Sequence, residues 1–344
     1  MNPLHAQGHA DARAGMIPAL VLTAGLATRL RPLSFVRAKA ALPVGGVTIA
    51  QRILRSLAAF GVTDAVLNLH HLPHTITAAI GDGSVDGVRV RYSWESPVLG
   101  SAGGPRRALP LLGSPKFLVV NGDTLTDVNV RALVDAHDRS GALVTLAVIP
   151  NIEPQKYGGV LVEDEGVVRS FVKRNTDTAS FHFVGVQVVE AEVFAGLPDG
   201  VPTESVGQVY PALISSRSGS VRAFVTNAEF HDIGTPVDYL TTCLHFEPPE
   251  SRIPFDSTRG NPNSGPPIPD AGSRPGLRDC VLWDDVEVHP DAQLRRCIVT
   301  DGVRIPAGAS WENVTIRVAH GELMERERLI GKLAIGPLDG STGA

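Results

Sequence analysis

Short, unbroken apolar runs recur through the first part of the chain, and each ends on small or polar residues. Ile17 to Leu22 enters the small-residue loop Thr23 to Thr28. Ala65 to Leu69 and Phe117 to Val120 repeat the pattern, the latter running into Asn121-Gly122-Asp123. Such runs fit strands covered on both faces, whereas the intervening segments carry helical spacing: Ile49 to Phe60, stopped by Gly61, and Pro73 to Ile80, stopped by Gly81. Val88 to Trp94 alternates as a further strand, Asp127 or Asn129 is placed to cap a helix through His137, and Ala142 to Ile149 is again strand-like. Strands alternating with helices predict an α/β domain with a mainly parallel sheet. From Tyr157 to Val189 the pattern turns to strands and turns, an antiparallel addition to that sheet. A helix over Gly207 to Ser216, a strand over Val221 to Val225 and a helix over Val237 to Phe246 close the domain.

Residues 247–276 are rich in Pro, Gly, Ser and Asn, too poor in apolar surface to offset the entropy of ordering, and are read as a linker. Beyond it lies an internal repeat at an offset of 17 residues: Val286 matches Val303, Val288 matches Ile305, Ala292 matches Ala309 and Asp284 matches Asp301. Apolar pairs at this interval predict stacked β-helix coils over 277–318. Cys280 and Cys297 share the spacing and are expected to stack as core filler rather than bind metal. Residues 1–15 are expected to be a disordered N-terminal tail, 16–246 the main domain, and 319–344 a C-terminal tail. The net charge of −5 excludes a polybasic nucleic-acid or membrane-surface binder, no apolar run has the length to span a bilayer, and three cysteines give no disulfide framework. A cytoplasmic protein is the expectation.

The loop Ala24-Gly25-Leu26-Ala27-Thr28 leaves backbone N–H groups clear of large side chains, a cradle suited to a phosphate chain, with Arg29, Arg31 and Lys39 close behind. Asp123 and Asp232 each follow an apolar strand, where open α/β sheets bind ligands, and two carboxylates there can share a Mg²⁺ ion.

Taken together, Leu22 to Leu33, Lys39, Leu42 to Gly46, Leu99 to Gly104, Asn121-Gly122-Asp123, Tyr157-Gly158, Val172-Lys173-Arg174 and Asp232 to Pro236 resemble the motifs of the sugar-1-phosphate nucleotidyltransferases. The likeness covers residues 17 to 246 in the family's order and is closest to the mannose-1-phosphate guanylyltransferase and N-acetylmuramate-1-phosphate uridylyltransferase types. It implies a Rossmann-like domain with a short left-handed β-helix-like appendage. The implied reaction moves a nucleoside monophosphate from an NTP to a sugar 1-phosphate and releases pyrophosphate. By the resemblance, Ala24, Gly25, Leu26, Ala27 and Thr28 hold the nucleotide, and Leu99, Gly100, Ser101, Ala102 and Gly103 line its base pocket. Arg29 and Lys39 bind phosphates, Lys173 binds the sugar phosphate, and Asp123 and Asp232 hold Mg²⁺. Tyr157, Gly158, Val172, Phe183, Val184 and Gly185 line the sugar pocket. A mannose-type guanylyltransferase is the favoured member; uridylyl-, thymidylyl- and adenylyltransferases are alternatives, and the coils offer a route to a homo-oligomer.

Three positions depart from the family pattern. Ala27 stands where Gly is usual, Lys39 is flanked by Ala38 and Ala40 rather than prolines, and Val172 replaces a Glu that binds sugar hydroxyls. At a positive φ, Ala27 would cost about 1 kcal/mol or more, and a shifted loop is the other possibility. These departures keep a catalytically weak regulatory subunit open as an alternative, whereas the absence of G-x-G-x-x-G excludes a dinucleotide oxidoreductase. His70, His71 and His74 are read as surface or helix-start residues, Trp94, Trp283 and Trp311 as packing, Arg106-Arg107 as a solvated helix face, and Asp127 as a cap.

Overall fold

The computed structural model describes residues 17–246 and 276–339. The expected tail at 1–15 and the expected linker, all but its last residue, lie outside the described residues. The chain begins with β1 (Ala19–Leu22), the small hairpin β2 (Pro43–Val44) and β3 (Val47–Thr48), then α1 (Ile49–Ala59), β4 (Asp64–Leu69) and α2 (Pro73–Ile80). Next come β5 (Arg89–Trp94), α3 (Gly100–Leu112), β6 (Lys116–Asn121), β7 (Thr124–Thr126), α4 (Val130–Ser140) and β8 (Val144–Pro150). They are followed by β9 (Gly159–Val162), β10 (Val168–Val172), β11 (Phe181–Glu190) and the one-turn α5 (Glu192–Ala195). The segment ends with α6 (Tyr210–Ser216), β12 (Val221–Val225), β13 (Phe230–Asp232) and α7 (Pro236–Phe246).

The main sheet runs β10-β9-β11-β6-β1-β4-β5, with β8 paired to β11 and β12 to β8. Strands β5, β4, β1 and β6 are mutually parallel, and β11 joins them antiparallel to β6. The mixed, mainly parallel sheet expected from the apolar runs is therefore present, with β9 to β11 as its antiparallel addition. The chain leaves β1 toward β4 and β5, then returns to β6 on β1's other side. The crevice beyond the C-terminal ends of β1 and β6 is thus the topological switch point where sheets of this kind bind ligands. Helix α1 begins at a capping box in which Thr48 and Gln51 satisfy each other's backbone N–H groups, and it buries Ile49, Ile53, Leu54 and Leu57 on one stripe. Asn129 caps α4 through a 3.0 Å bond from Ala132 N–H, whereas Asp127 accepts from Glu229 N–H at 2.7 Å. Asp127 is therefore not a helix cap but a tie between β7 and the strand that carries Asp232.

The coils comprise β14 (Leu277–Arg278), β15 (Val281–Leu282), β16 (Glu287–Val288), β17 (Gln293–Arg295), β18 (Ile298–Val299), β19 (Arg304–Ile305), β20 (Ser310–Glu312) and β21 (Val314–Val318). They stack as three parallel faces, β14-β17-β20, β15-β18-β21 and β16-β19. The register is the one the repeat predicts: Val288 pairs with Ile305, and Val281 with Ile298, 17 positions apart. Val281, Trp283, Ile298 and Leu338 belong to the core of the main domain, so the coils are docked on it by apolar packing.

Two expectations are corrected here. Residues 319–344 are not simply a tail: β22 (Arg328–Ile330) and β23 (Leu333–Pro337) form a hairpin that pairs antiparallel with β21. Arg317 and Glu327, each with only 2% of its side chain exposed, bond twice at 2.7 and 2.8 Å beneath it. Trp94 does not pack but is 58% exposed, because it points outward at the end of an edge strand.

Candidate active site

Strand β1 delivers the loop Thr23 to Thr28 into the switch-point crevice. Thr23 is buried and anchored to Asn68 at the end of β4, its N–H reaching the Asn68 carboxamide oxygen at 2.6 Å. Asn68 donates to Glu95 at 2.7 Å, and the other Glu95 oxygen accepts from Leu99 N–H at 2.8 Å. This buried chain of bonds ties the first loop to the start of α3, and motif reading did not single it out. Ala24 is buried, whereas Gly25, Leu26, Thr28 and Arg29 stay exposed. Ala27 adopts φ 49° and ψ 45°, so the left-handed conformation is kept and the methyl bears the strain. Its carbonyl accepts from Leu30 N–H at 3.0 Å and from Ser34 Oγ at 2.9 Å, bonds that hold the turn in place.

The two expected metal carboxylates meet through a small antiparallel ribbon. Asp232 ends β13 opposite Thr124 of β7, and Ile233 N–H bonds the Asp123 carbonyl at 3.2 Å. Lys39 Nζ, largely buried, sits 2.8 Å from Asp123 Oδ2. Burial pushes the Asp232 carboxyl above its ordinary range; Lys39 and Arg29 oppose that shift, and Asp123 and Asp238 add to it. Arg29, Asp232 and Asp238 all converge on Gly234, where a Cβ would lie 3.1 to 3.4 Å from each. Asp238 joins Arg29, Lys39, Asp123 and Asp232 there, a fifth charged group that the sequence motifs do not mark.

The sugar-side residues are only partly brought together. Val172 at the end of β10 pairs with Gly159, beside Gly158, and the Tyr157 ring packs on His182 at 4.2 Å and on Phe230 at 5.4 Å. Lys156 bonds Asp238 at 3.1 Å and lies over the Tyr157 ring, joining this patch to the carboxylates. Lys173 follows β10 and is exposed. Val184, by contrast, is completely buried in the main core and cannot line a pocket with its side chain. At Gly185 (φ +82°) an added Cβ would lie 2.7 Å from the Asn121 side chain, so only glycine fits, and Phe183 packs against the apolar cluster that includes Phe117, Val148 and Phe194.

The expected base pocket also needs correction. Residues 201–205 lie across the start of α3: Thr203 N–H bonds Leu99 O, and Thr203 O accepts from Ala102 and Gly103 N–H at 2.9 and 3.2 Å. Leu99, Ala102 and Gly103 are consequently buried, and only Gly100 and Ser101 keep accessible surface. Ser101 Oγ donates to Glu204 at 2.6 Å, so Thr203 and Glu204 are the residues that frame this wall. Arg106 bonds the Leu197 carbonyl and Arg107 reaches Asp199 and the Trp94 carbonyl, so neither is simply solvated.

On the far side of β13, Glu229 Oε2 lies 3.5 Å from His231 Nε2 and 3.8 Å from His245 Nε2, a grouping that sequence reading passed over.

The nucleotidyl transferase family profile matches residues 18–247. The chain belongs to that family. Enzymes of this family generally use a divalent metal. The expected likeness to sugar-1-phosphate nucleotidyltransferases is borne out by the relatives. A protein of Mycobacterium tuberculosis named mannose-1-phosphate guanylyltransferase is 28% identical over 86% of this chain and 83% of its own. An Aspergillus fumigatus mannose-1-phosphate guanyltransferase is 30% identical over 87% and 90%. A Synechocystis protein named UTP–glucose-1-phosphate uridylyltransferase is 25% identical over 93% and 84%. Among solved structures, HddC of Yersinia pseudotuberculosis shares the fold with a TM-score of 0.60 and 23% identity, over 67% of this chain and all of its own.

Proposed function

We propose that this protein is a mannose-1-phosphate guanylyltransferase, transferring GMP from GTP to mannose 1-phosphate with release of pyrophosphate. One observation carries the reading: Arg29, Lys39, Asp123 and Asp232 converge beside an open small-residue loop at the switch point. Two of the relatives above bear that name, and HddC has been solved in complex with GMP-PN.

The acceptor is already a phosphate oxygen, so the protein needs no nucleophile of its own. Catalysis then rests on positioning and on neutralising charge as the α-phosphorus is attacked in line. The N–H groups of Gly25 to Thr28 face the triphosphate, with Arg29 and Lys39 along its oxygens. Lys173 takes the sugar phosphate, and Tyr157 with Gly158 and Val172 forms the wall against which the sugar lies. Gly100 and Ser101, framed by Thr203 and Glu204, offer polar contacts to the base.

Mg²⁺ fits the donors present. Asp123 and Asp232 supply hard oxygen ligands, and the half-exposed Asp123 leaves room for water, which that ion retains. When bound, the ion would polarise the α-phosphate and draw the two substrates together.

The reading further places the enzyme in the cytoplasm, where nucleotide sugars are made from soluble precursors. It allows self-association through β14 and β15, each paired on one side only among the described residues.

The test is pyrophosphate release with Mg²⁺, each of five NTPs and a panel of sugar 1-phosphates. Turnover with GTP and mannose 1-phosphate, lost in Asp123→Ala, is expected. Turnover with another pair would correct the substrate. No turnover across the panel, together with tight binding of a finished nucleotide sugar, would replace the enzyme by a regulatory subunit.

A further inference from the structure

We propose that Arg37 is a positioning residue, through which the C-terminal coils hold the catalytic lysine, Lys39, in place. The inference rests on the site reading above and adds to it a role for the coils.

The repeat places Asp284 and Asp301 at equivalent positions of successive coils, and both turn toward one guanidinium. Arg37 Nε and Nη2 grip Asp301 at 2.8 and 2.6 Å, and Nη2 also reaches Asp284 at 2.5 Å. Asp301 is itself aimed by Asp284 N–H at 3.1 Å. The guanidinium lies over the Trp283 ring at 5.3 Å, with 15% of the side chain exposed. The fork geometry of Arg, matched to carboxylates and stacked on an aromatic face, fixes direction in a way a lysine would not.

The same tryptophan secures the other end of the segment. Trp283 Nε1 donates to Tyr239 Oη at 3.0 Å, and Tyr239 in turn donates to the Pro43 carbonyl at 2.5 Å. Residues 37 to 43 are therefore clamped at both ends by groups tied to the coils. Between the clamps, Ala38 is buried and its N–H bonds Thr75 Oγ1 at 3.1 Å. Lys39 opens a single 3₁₀ turn, and its ammonium reaches Asp123 at 2.8 Å.

Physical need supplies the rest of the argument. A lysine ammonium is a point charge on a flexible stem, so its aim depends on the backbone beneath it. Ala38 and Ala40 do not fix that backbone as prolines would. Arg37 lies two residues from Lys39, within about 7 Å along the chain, and its anchors in the coils do not depend on substrate. A clamp from outside thus replaces local stiffness.

An inter-domain staple with no bearing on Lys39 would show the same contacts, and a double-mutant cycle separates the two. The full chain and the variants Arg37→Met, Arg37→Lys, Lys39→Ala and Arg37→Met/Lys39→Ala are compared by pyrophosphate release, at a temperature well below each variant's melting point. A misplacement of about 1 Å can cost 10²-fold, so Arg37→Met is expected to lower kcat by about 10- to 100-fold with the KM for sugar 1-phosphate unchanged. Arg37→Lys falls between, because it keeps the charge but not the fork. Combined with Lys39→Ala, Arg37→Met should add less than about threefold, since its effect runs through the missing lysine. Losses that multiply, or an Arg37→Met kcat within threefold of wild type despite a lower melting point, would overturn the proposal and leave a staple. If Arg37→Met does not fold, Asp284→Asn serves in the same cycle and is read the same way. Full activity of Lys39→Ala would overturn the site reading itself, and the route through Lys39 with it.

Discussion

The tightest backbone approach in the site is at Gly122, and it makes a quantitative prediction. Gly122 N–H bonds the Leu22 carbonyl at 2.9 Å, which holds the end of β6 against the end of β1 and sets Asp123 beside the loop Thr23 to Thr28, the proposed nucleotide cradle. A Cβ on Gly122 would collide with the Leu22 carbonyl oxygen and lie 2.8 Å from Thr23 Cγ2. Ordinary carbon contacts need about 3.5–4.0 Å, so Gly122→Ala must push the two strand ends apart by about 1 Å. The atoms in the way are backbone and a buried, doubly bonded threonine, so no flexible side chain can yield instead. Overpacking of this kind costs about 1–3 kcal/mol, or a fall in Tm of about 2–10 °C for a chain this size. The functional loss should be larger in effect: a 1 Å displacement of Asp123 and its partner Lys39 from the loop is worth about 10²-fold in kcat/KM, or about 2.7 kcal/mol. Steady-state pyrophosphate release and a melting curve on the same preparation read both quantities. A kcat/KM within threefold of wild type, with Tm lowered as expected, would refute the claim that this contact sets the catalytic geometry.

Other substitutions separate binding from folding. At Gly25 an added Cβ meets nothing within 4 Å, so Gly25→Ala should leave Tm unchanged while raising the KM for NTP about tenfold, because the methyl stands where the phosphates approach; equal KM values would remove Gly25 from the cradle. Glu327→Gln leaves Arg317 charged and buried, and should cost about 3 kcal/mol in denaturant unfolding; a loss under 1 kcal/mol would show that the three nearby carbonyls of residues 318, 320 and 322 suffice. Burial lowers the His182 pKa, so the folded protein binds that proton less tightly than the unfolded chain. No penalty from this group exists above about pH 6.5, and stability is lost as pH falls from there toward the folded-state pKa. The wild-type Tm should therefore drop more between pH 7 and pH 5.5 than that of His182→Gln, and parallel curves would contradict the assignment.

Local rules read some of this molecule well and leave other parts dark for physical reasons. Continuous apolar runs such as Phe117 to Val120 are strands because both faces are covered, and the 17-residue match of Val288 to Ile305 is a pairing register because coils stack. The conformation at Ala27 was open in the sequence between a left-handed residue and a shifted loop, and the bonds from Leu30 N–H and Ser34 Oγ to its carbonyl hold the left-handed one. The wall over α3 was not legible: Thr203 sits about a hundred residues from Ala102, in a stretch without periodicity, and its contribution is mostly backbone bonding. Val184 was misplaced because strand alternation sends it into the core, while a bulge between Phe183 and Gln187 turns Gly185 onto Asn121. The hairpin of β22 and β23 escaped notice because Arg328, Leu329 and Ile330 are all exposed, so no apolar period marks the strand.

Charge arrangement suits so compact a cluster to receiving a polyanion. Three carboxylates, Asp123, Asp232 and Asp238, face three cations, Arg29, Lys39 and Lys156, so the site is close to neutral before substrate arrives. On the proposed reading a triphosphate brings several negative charges, and Lys39 would meet them from a position in which it is already largely buried and bonded to Asp123. Moving an ammonium from one oxyanion to another a few ångströms away avoids stripping it of bulk water at the moment of binding, which is where preorganised sites gain over solvent. The arrangement works only if Lys39 cannot swing away when its bond to Asp123 loosens. A lysine that trades partners needs a backbone that does not, and in this chain the grip on residues 37 to 43 supplies it.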